Sequence, residues 1–316
     1  MIQHRRSQVL PFLGTLFLAF LVEGGYAQSK KGGSLVLQDF HPAFMGSASQ
    51  VVLLKYSAYD AGYSVEDVQP AWVGYRLNRN RVGGFAERTN KFQRDPRLGG
   101  SDANDRDYVK SGFHRGHLVP AADMAWSVHS MKESFSYANV SPQRPGFNTG
   151  IWKRLESQVR DWAATLSVDD TVGLLVWSGP VLGEHSTLSN AGRLRIPNAF
   201  YKVVYHPAEE RVAALLLPHS SSKASLVGYL VSVDSLEKVT GMDFLRGLPE
   251  PIEARLESHA CASCWTWSSK ASTSSRIPRA TQASDSQAIT CAGITKAGKP
   301  CRNKTRDASG YCHHHR

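Results

Sequence analysis

No cysteine occurs in the first 260 residues of this 316-residue chain; all five lie from Cys261 onward. That excludes a disulfide framework, a thiol nucleophile and a thiolate metal site from most of the molecule. Acidic side chains are also short, with 27 Asp and Glu against 37 Lys and Arg, for a formal charge of +10. Such an excess suits a polyanionic partner, because neutralised phosphates release their counterions whatever the base sequence. The chain's N-terminal apolar run, Val9–Val22, is short for a membrane span. Arg5-Arg6 precede it and Gly25-Tyr26-Ala27 follow it, the pattern of an export signal. Cleavage is predicted after Ala27, giving a secreted or periplasmic protein with no stable membrane span; an uncleaved anchor is the alternative. The loss of Arg5, Arg6 and Glu23 would leave a charge of +9. Aromatic residues do not interleave with the basic ones, so base-specific stacking is not expected.

Against these absences stand two dense segments. Residues 113–124 read Phe-His-Arg-Gly-His-Leu-Val-Pro-Ala-Ala-Asp-Met, and 139–156 run from Asn139 through Pro142-Gln143, Asn148 and Trp152 to Glu156. Arg115 and His117 are two apart on an extended segment and share a face. His117 is the candidate general base, imidazole being the side chain that titrates near neutrality. Arg115 offers a planar fork for a phosphate and for the charge that builds on it. After Pro145, Ile151, Leu155, Val159 and Trp162 recur at helical spacing. Asn148 then stands at a helix entrance, either as a cap or as an oxygen ligand for a hard cation. Glu156 lies roughly 12 Å further along the axis, too far to share that ion directly, and reads as an outer group holding a metal-bound water. A neutral oxygen ligand with waters suits Mg²⁺ and not Zn²⁺. Base, cation and phosphate contact together describe metal-assisted phosphodiester hydrolysis.

These segments resemble the DNA/RNA non-specific endonucleases of the ββα-metal type, the group of endonuclease G and the secreted bacterial sugar-non-specific nucleases. The family's Asp-Arg-Gly-His signature falls on His114-Arg115-Gly116-His117, and its Asn-x-x-Pro-Gln, Asn and Trp-x-x-Leu-Glu segment on Asn139 to Glu156 without a gap. The resemblance implies His117 as base, Asn148 as the Mg²⁺ ligand with Mn²⁺ as a substitute, and Glu156 holding metal-bound water. It also implies Arg115 on the phosphate or leaving group, Asn139 supporting the site, DNA and RNA as substrates with 5′-phosphate products, and often a homodimer. Two positions depart from the pattern. His114 replaces the usual Asp, and the extra catalytic Arg of some members falls on Asn90, leaving Arg88 or Arg94 to bind substrate. A non-catalytic exported nucleic-acid-binding protein with a degenerate nuclease fold is therefore the competing reading; a structural or adhesion module working through its tail is a third.

Alternating apolar runs predict strands at Val51–Tyr59, Ala71–Leu77, Val172–Trp177, Ala199–Tyr205 and Val212–Leu217. The fold class expected is α+β, a mixed domain with a central antiparallel sheet and a ββα-metal motif. Its bounds are placed at 51–260, after a leading segment 28–50. A Ser/Ala/Thr-rich linker is expected over 261–288, with Cys261 and Cys264 forming a local disulfide or an accessory metal pair. Cys291, Cys301, Cys312 and His315 then predict a small zinc module at 289–316, since so short a segment cannot bury a core. His313 and His314 are equally reachable ligands, and oxidation of the cysteines is the competing outcome in an exported protein.

Overall fold

The computed structural model describes residues 40–45, 51–182, 193–268, 289–295 and 299–305. The chain divides into one unit ending at Trp267 and a second beginning at Ser268. The first is built on eleven strands: β1 (Ala43–Phe44), β2 (Val52–Lys55), β3 (Tyr59–Ser64), β4 (Gln69–Leu77), β5 (His114–His117), β6 (Val140–Gln143), β7 (Leu174–Val181), β8 (Ala199–His206), β9 (Arg211–Pro218), β10 (Leu230–Val231) and β11 (Met242–Asp243). Its helices are α1 (Asp105–Tyr108), α2 (Val128–Glu133), α3 (Pro145–Phe147), α4 (Lys153–Thr165), α5 (Val233–Thr240) and α6 (Glu250–Glu257).

Seven strands pair in the order β10-β9-β8-β7-β4-β3-β2, every neighbour antiparallel. This is the central antiparallel sheet of the α+β class. Both faces are buried, so the central strands alternate between two cores. Tyr75, Val176, Phe200 and Val204 face the core that α4 covers, while Trp72, Trp177, Tyr201 and Val203 face the one that α5 and α6 cover. On α4 and the turn that precedes it the predicted stripe is the packed one: Ile151, Leu155, Val159 and Trp162 are each at most 2% exposed. Truncating a residue such as Trp162 there would cost roughly 3–5 kcal/mol.

Three expectations change. The run Val51–Tyr59 is not one strand: the chain reverses with Tyr56 N–H donating to Tyr59 C=O, because Val52 and Leu53 lie on an exposed edge while Tyr59 turns inward. The core also begins before residue 51, since Phe40 is buried and β1 pairs with β11. Finally, 261–267 is not linker. A Cys261–Cys264 disulfide closes a short loop, Trp265 is buried against Trp162, and Trp162 Nε1 donates to Thr266 C=O at 2.6 Å. The Ser/Ala/Thr composition that predicted a linker from 261 does not register Trp265 and Trp267, which both pack against Trp162 and bury large apolar surfaces.

In the second unit, β12 (Ile289–Thr290) pairs antiparallel with β13 (Lys304–Thr305). Between them Cys291 and Cys301 are buried side by side, and Gly293 N–H points at Cys291 Sγ from 3.3 Å. The export signal and the Cys312 and His315 positions lie outside the described residues. Among the described residues no helix is long and apolar enough to cross a membrane.

Candidate active site

β5 and β6 form a separate two-stranded ribbon that runs into α3, and the chain then continues as helix to Thr165. Two strands and a helix thus bring the two dense sequence segments together. The ribbon closes tightly at Gly116: a Cβ there would sit 2.3 Å from the Gln143 side chain, so only glycine lets that amide cross the ribbon. Gln143 is fully buried, and neither its oxygen nor its nitrogen has a hydrogen-bond partner among the described residues.

His117 is 8% exposed. Its ring lies edge-on to Phe135, with centroids 4.7 Å apart, and is tilted against Phe92 at 5.3 Å. Nε2 is buried without a hydrogen-bond partner among the described residues, which leaves Nδ1 as the ring nitrogen toward solvent. Burial, helped by the charges of Arg88 and Arg115, pushes the imidazole pKa down to about 3. The ring is therefore neutral near pH 7, the form a general base requires. Trp152 Nε1 donates to the His117 carbonyl at 3.1 Å and ties the helix to this strand.

Arg115 stacks over Phe92, 4.4 Å from the ring centroid, and pairs with Asp105, which also accepts from Tyr137 at 2.6 Å. Arg88 stacks over Phe135 at 5.0 Å, and its Nε donates to Asn90 Oδ1 at 2.8 Å. Both guanidinium groups, with Asn90, His114 and Asn148, line a cleft of about 530 Å³. Arg94 does not reach it. That side chain donates to the fully buried Asp102 at 2.9 Å and borders a different hollow beside Lys55 and Tyr56. Of the two arginines expected as substitutes, only Arg88 stands at the site, and Asn90 orients it.

Asn148 is not the N-cap that sequence left open. The helix begins at Pro145, and Asn148 opens a π-helical stretch, Asn148–Trp152, in which Gly150 leaves helical geometry (φ −99°, ψ −108°). Such stretches recur at functional positions because they displace a side chain from the α-helical register. Here Asn148 Nδ2 donates to His114 Nδ1 at 3.2 Å. An amide held by its nitrogen leaves its oxygen available, so His114 takes up an orienting contact although the usual carboxylate is gone. One carboxamide oxygen, with open cleft around it for solvent, fits a hard oxygen-seeking cation.

Asn139 is fully buried and spent on backbone: Oδ1 accepts from Val119 N–H, while Nδ2 donates to Val119 and Ser134 carbonyls. It holds the chain that follows His117 and touches no substrate position. Glu156 sits in a group of charges that sequence reading did not assemble. Asp123, fully buried, accepts from Arg160 and Tyr75, both at 2.7 Å. Lys202, equally buried, donates to Ser178 and lies 4.7 Å from the Trp152 ring centroid. Burial raises the Glu156 pKa and lowers that of Lys202, each opposed by the other's charge. The clue to Arg160 was its place one turn after Glu156; Asp123 lies in the 113–124 segment and Lys202 in the Ala199–Tyr205 strand, but nothing local pairs them.

Residues 39–250 match the family of DNA/RNA non-specific endonucleases, and the chain belongs to that family. Its members are metal-dependent nucleases. It is 30% identical over 212 residues to the mitochondrial nuclease EXOG of Danio rerio, a span of 61% of this chain and 60% of that protein. With a nuclease of Serratia marcescens it shares 29% identity over 227 residues, 67% of this chain and 82% of that one. A solved complex of EndoG with its inhibitor EndoGI has the same fold, with a TM-score of 0.57 at 24% identity, covering 62% of this chain and 86% of that one. The chain thus spans about three fifths of the length of the EXOG proteins of Danio rerio and Xenopus laevis.

Proposed function

We propose that the protein is a Mg²⁺-dependent endonuclease hydrolysing phosphodiester bonds in both DNA and RNA. The observation that carries this is a neutral, nearly buried imidazole at 117 with two arginines beside it, on the same ribbon and helix as Asn148. In the productive tautomer His117 carries hydrogen on Nε2 and a lone pair on Nδ1. Nδ1 takes the proton of an attacking water as its oxygen bonds to phosphorus. The P–O3′ bond breaks, one product keeps a 5′-phosphate, and the departing O3′ takes a proton from solvent to become a 3′-hydroxyl. Arg115 and Arg88 grip the phosphate oxygens and share the charge that develops on them. Asn148 would hold Mg²⁺ through its carboxamide oxygen, and the ion would supply positive charge that stabilises the anion developing in the reaction. Glu156 orders solvent next to it, and Lys202 with Arg160 keeps that carboxylate in place.

The rest of the chain suits the same reading. A basic surface favours phosphates without regard to base sequence. Export by the N-terminal signal would direct the activity to external nucleic acid. The tail hairpin, with two buried cysteines and an amide aimed at one sulfur, supports zinc binding completed by Cys312 and His315. A homodimer is part of the proposal only by kinship.

The test is degradation of plasmid DNA and of a matched RNA with Mg²⁺, with Mn²⁺ and with EDTA. Cutting with either metal and none with EDTA is expected. His117→Ala should lose about 10²–10⁴-fold in rate while still binding DNA. Full activity in that variant would overturn the base assignment. Binding without cutting in the native protein would favour the degenerate-fold reading.

A further inference from the structure

On the face of the sheet away from Asn148, α5, β11 and α6 bring together five carboxylates: Asp234, Glu237, Asp243, Glu253 and Glu257. We propose that they form a calcium site centred on Glu257, separate from the nuclease cleft.

Geometry comes first. Carboxylate oxygens of Asp234, Glu237 and Glu257 lie within 4.8 Å of one another, and so do those of Asp243, Glu253 and Glu257. Two oxygens that each bind one Ca²⁺ at 2.3–2.6 Å are at most about 5 Å apart. Both triads meet that limit, and Glu257 is their common member. Calcium accepts six to eight oxygens in adaptable geometry, whereas Mg²⁺ demands a compact octahedron. A set of flexible carboxylates from three segments therefore matches the larger ion.

Charge balance points the same way. None of the ion pairs among the described residues involves any of the five. Arg246, the cation that acts on Glu253, is exposed and forms none of these pairs. Among the described residues of a protein with ten surplus positive charges, these five carboxylates are left without an ion pair.

The second observation is Glu257 itself. It is only 7% exposed, and although its side chain is hydrogen-bonded with that of Glu237, its Oε1 is buried with no hydrogen-bond partner among the described residues. A buried, unpaired carboxylate oxygen is costly unless a proton or a cation meets it. Burial and the neighbouring acids push the Glu257 pKa up to about 8, and Glu237 and Glu253 are raised for the same two reasons. A divalent ion held by these carboxylates would bridge α5 to α6. Glu237 is already steadied for the task, since its Oε1 accepts Phe244 N–H at 2.8 Å.

Calorimetric titration of the full chain with Ca²⁺ tests this, using Asn148→Ala so that the nuclease cation does not contribute. One calcium per chain is expected, together with a rise in melting temperature. Adding Glu257→Gln should weaken binding by about tenfold or more and abolish the thermal shift. If that variant does not fold, Glu253→Gln on the half-buried rim gives the same readout. No calcium heat in Asn148→Ala, or binding unchanged by Glu257→Gln and Glu253→Gln, overturns the site.

Discussion

Two groups of acids, one around the buried Asp123 and one around the buried Glu257, sit on opposite faces of one sheet, and they are resolved in opposite ways. Toward α4, Asp123 has Arg160 and Tyr75, and Glu156 has Lys202 and Arg160 in its field. Toward α6, Glu257 and its four neighbours form no ion pair among the described residues, and only the exposed Arg246 acts on one of them, Glu253. The first group is electrostatically closed by the chain's own residues, so removing any member leaves an unmatched charge. The second is open, so removing a member relieves it. The contrast teaches that burial of charge says little by itself; the inventory of opposing charge decides whether a cluster is finished or awaits a ligand.

The contrast can be broken most sharply through activity. His117→Ala should abolish most cutting, as stated above, whereas Glu257→Gln should leave the rate in Mg²⁺ within about twofold, being on the far face. Arg88→Ala should cost about 10–100-fold in kcat/KM, and Arg94→Ala far less, because only Arg88 lines the cleft. Equal losses in the two would return Arg94 to the site. Stability gives the next test. Lys202→Met strands Glu156 and should destabilise by about 3 kcal/mol or more in urea unfolding, while Glu257→Gln in metal-free buffer should be neutral or stabilising. Should both destabilise alike, the distinction between closed and open clusters fails.

The smallest effect is in pH. Glu257, with its folded pKa raised to about 8, contributes stability that is fully present below its unfolded value and lost as pH rises through 8. His117, depressed to about 3, does the reverse: the neutral ring is favoured in the folded state, and stability falls as pH drops from about 6.5 toward 3. Metal-free melting curves should therefore lose their alkaline slope in Glu257→Gln and part of their acid slope in His117→Gln. Unchanged slopes would mean that neither shift is coupled to folding.

Much of the cleft was legible in the sequence because its chemistry is local. Arg115 and His117 needed only the alternation of a strand, and the α4 stripe only the spacing of Ile151, Leu155, Val159 and Trp162. The charge partners were not legible, since Lys202 meets Glu156 only through a strand crossing that no local pattern encodes. The acidic knot was hidden for another reason: Asp234, Glu237 and Glu253 sit in short helices where acids ordinarily face water. Trp265 was missed because composition averaged it into a polar stretch. The π-helical register at Asn148 has no pattern in single-residue propensities; it shows only when the helix is seen against β5.

That register makes residue count matter more here than residue identity. Each residue of an α-helix turns the chain by about 100°. Deleting one position between Asn148 and Trp152 would let the stretch relax to ordinary α-helix and swing the amide away from His114 by that angle. Point substitutions at Thr149 or Gly150 should be far milder than a single deletion beside them, and gaps in this short interval would be purged where exchanges are tolerated.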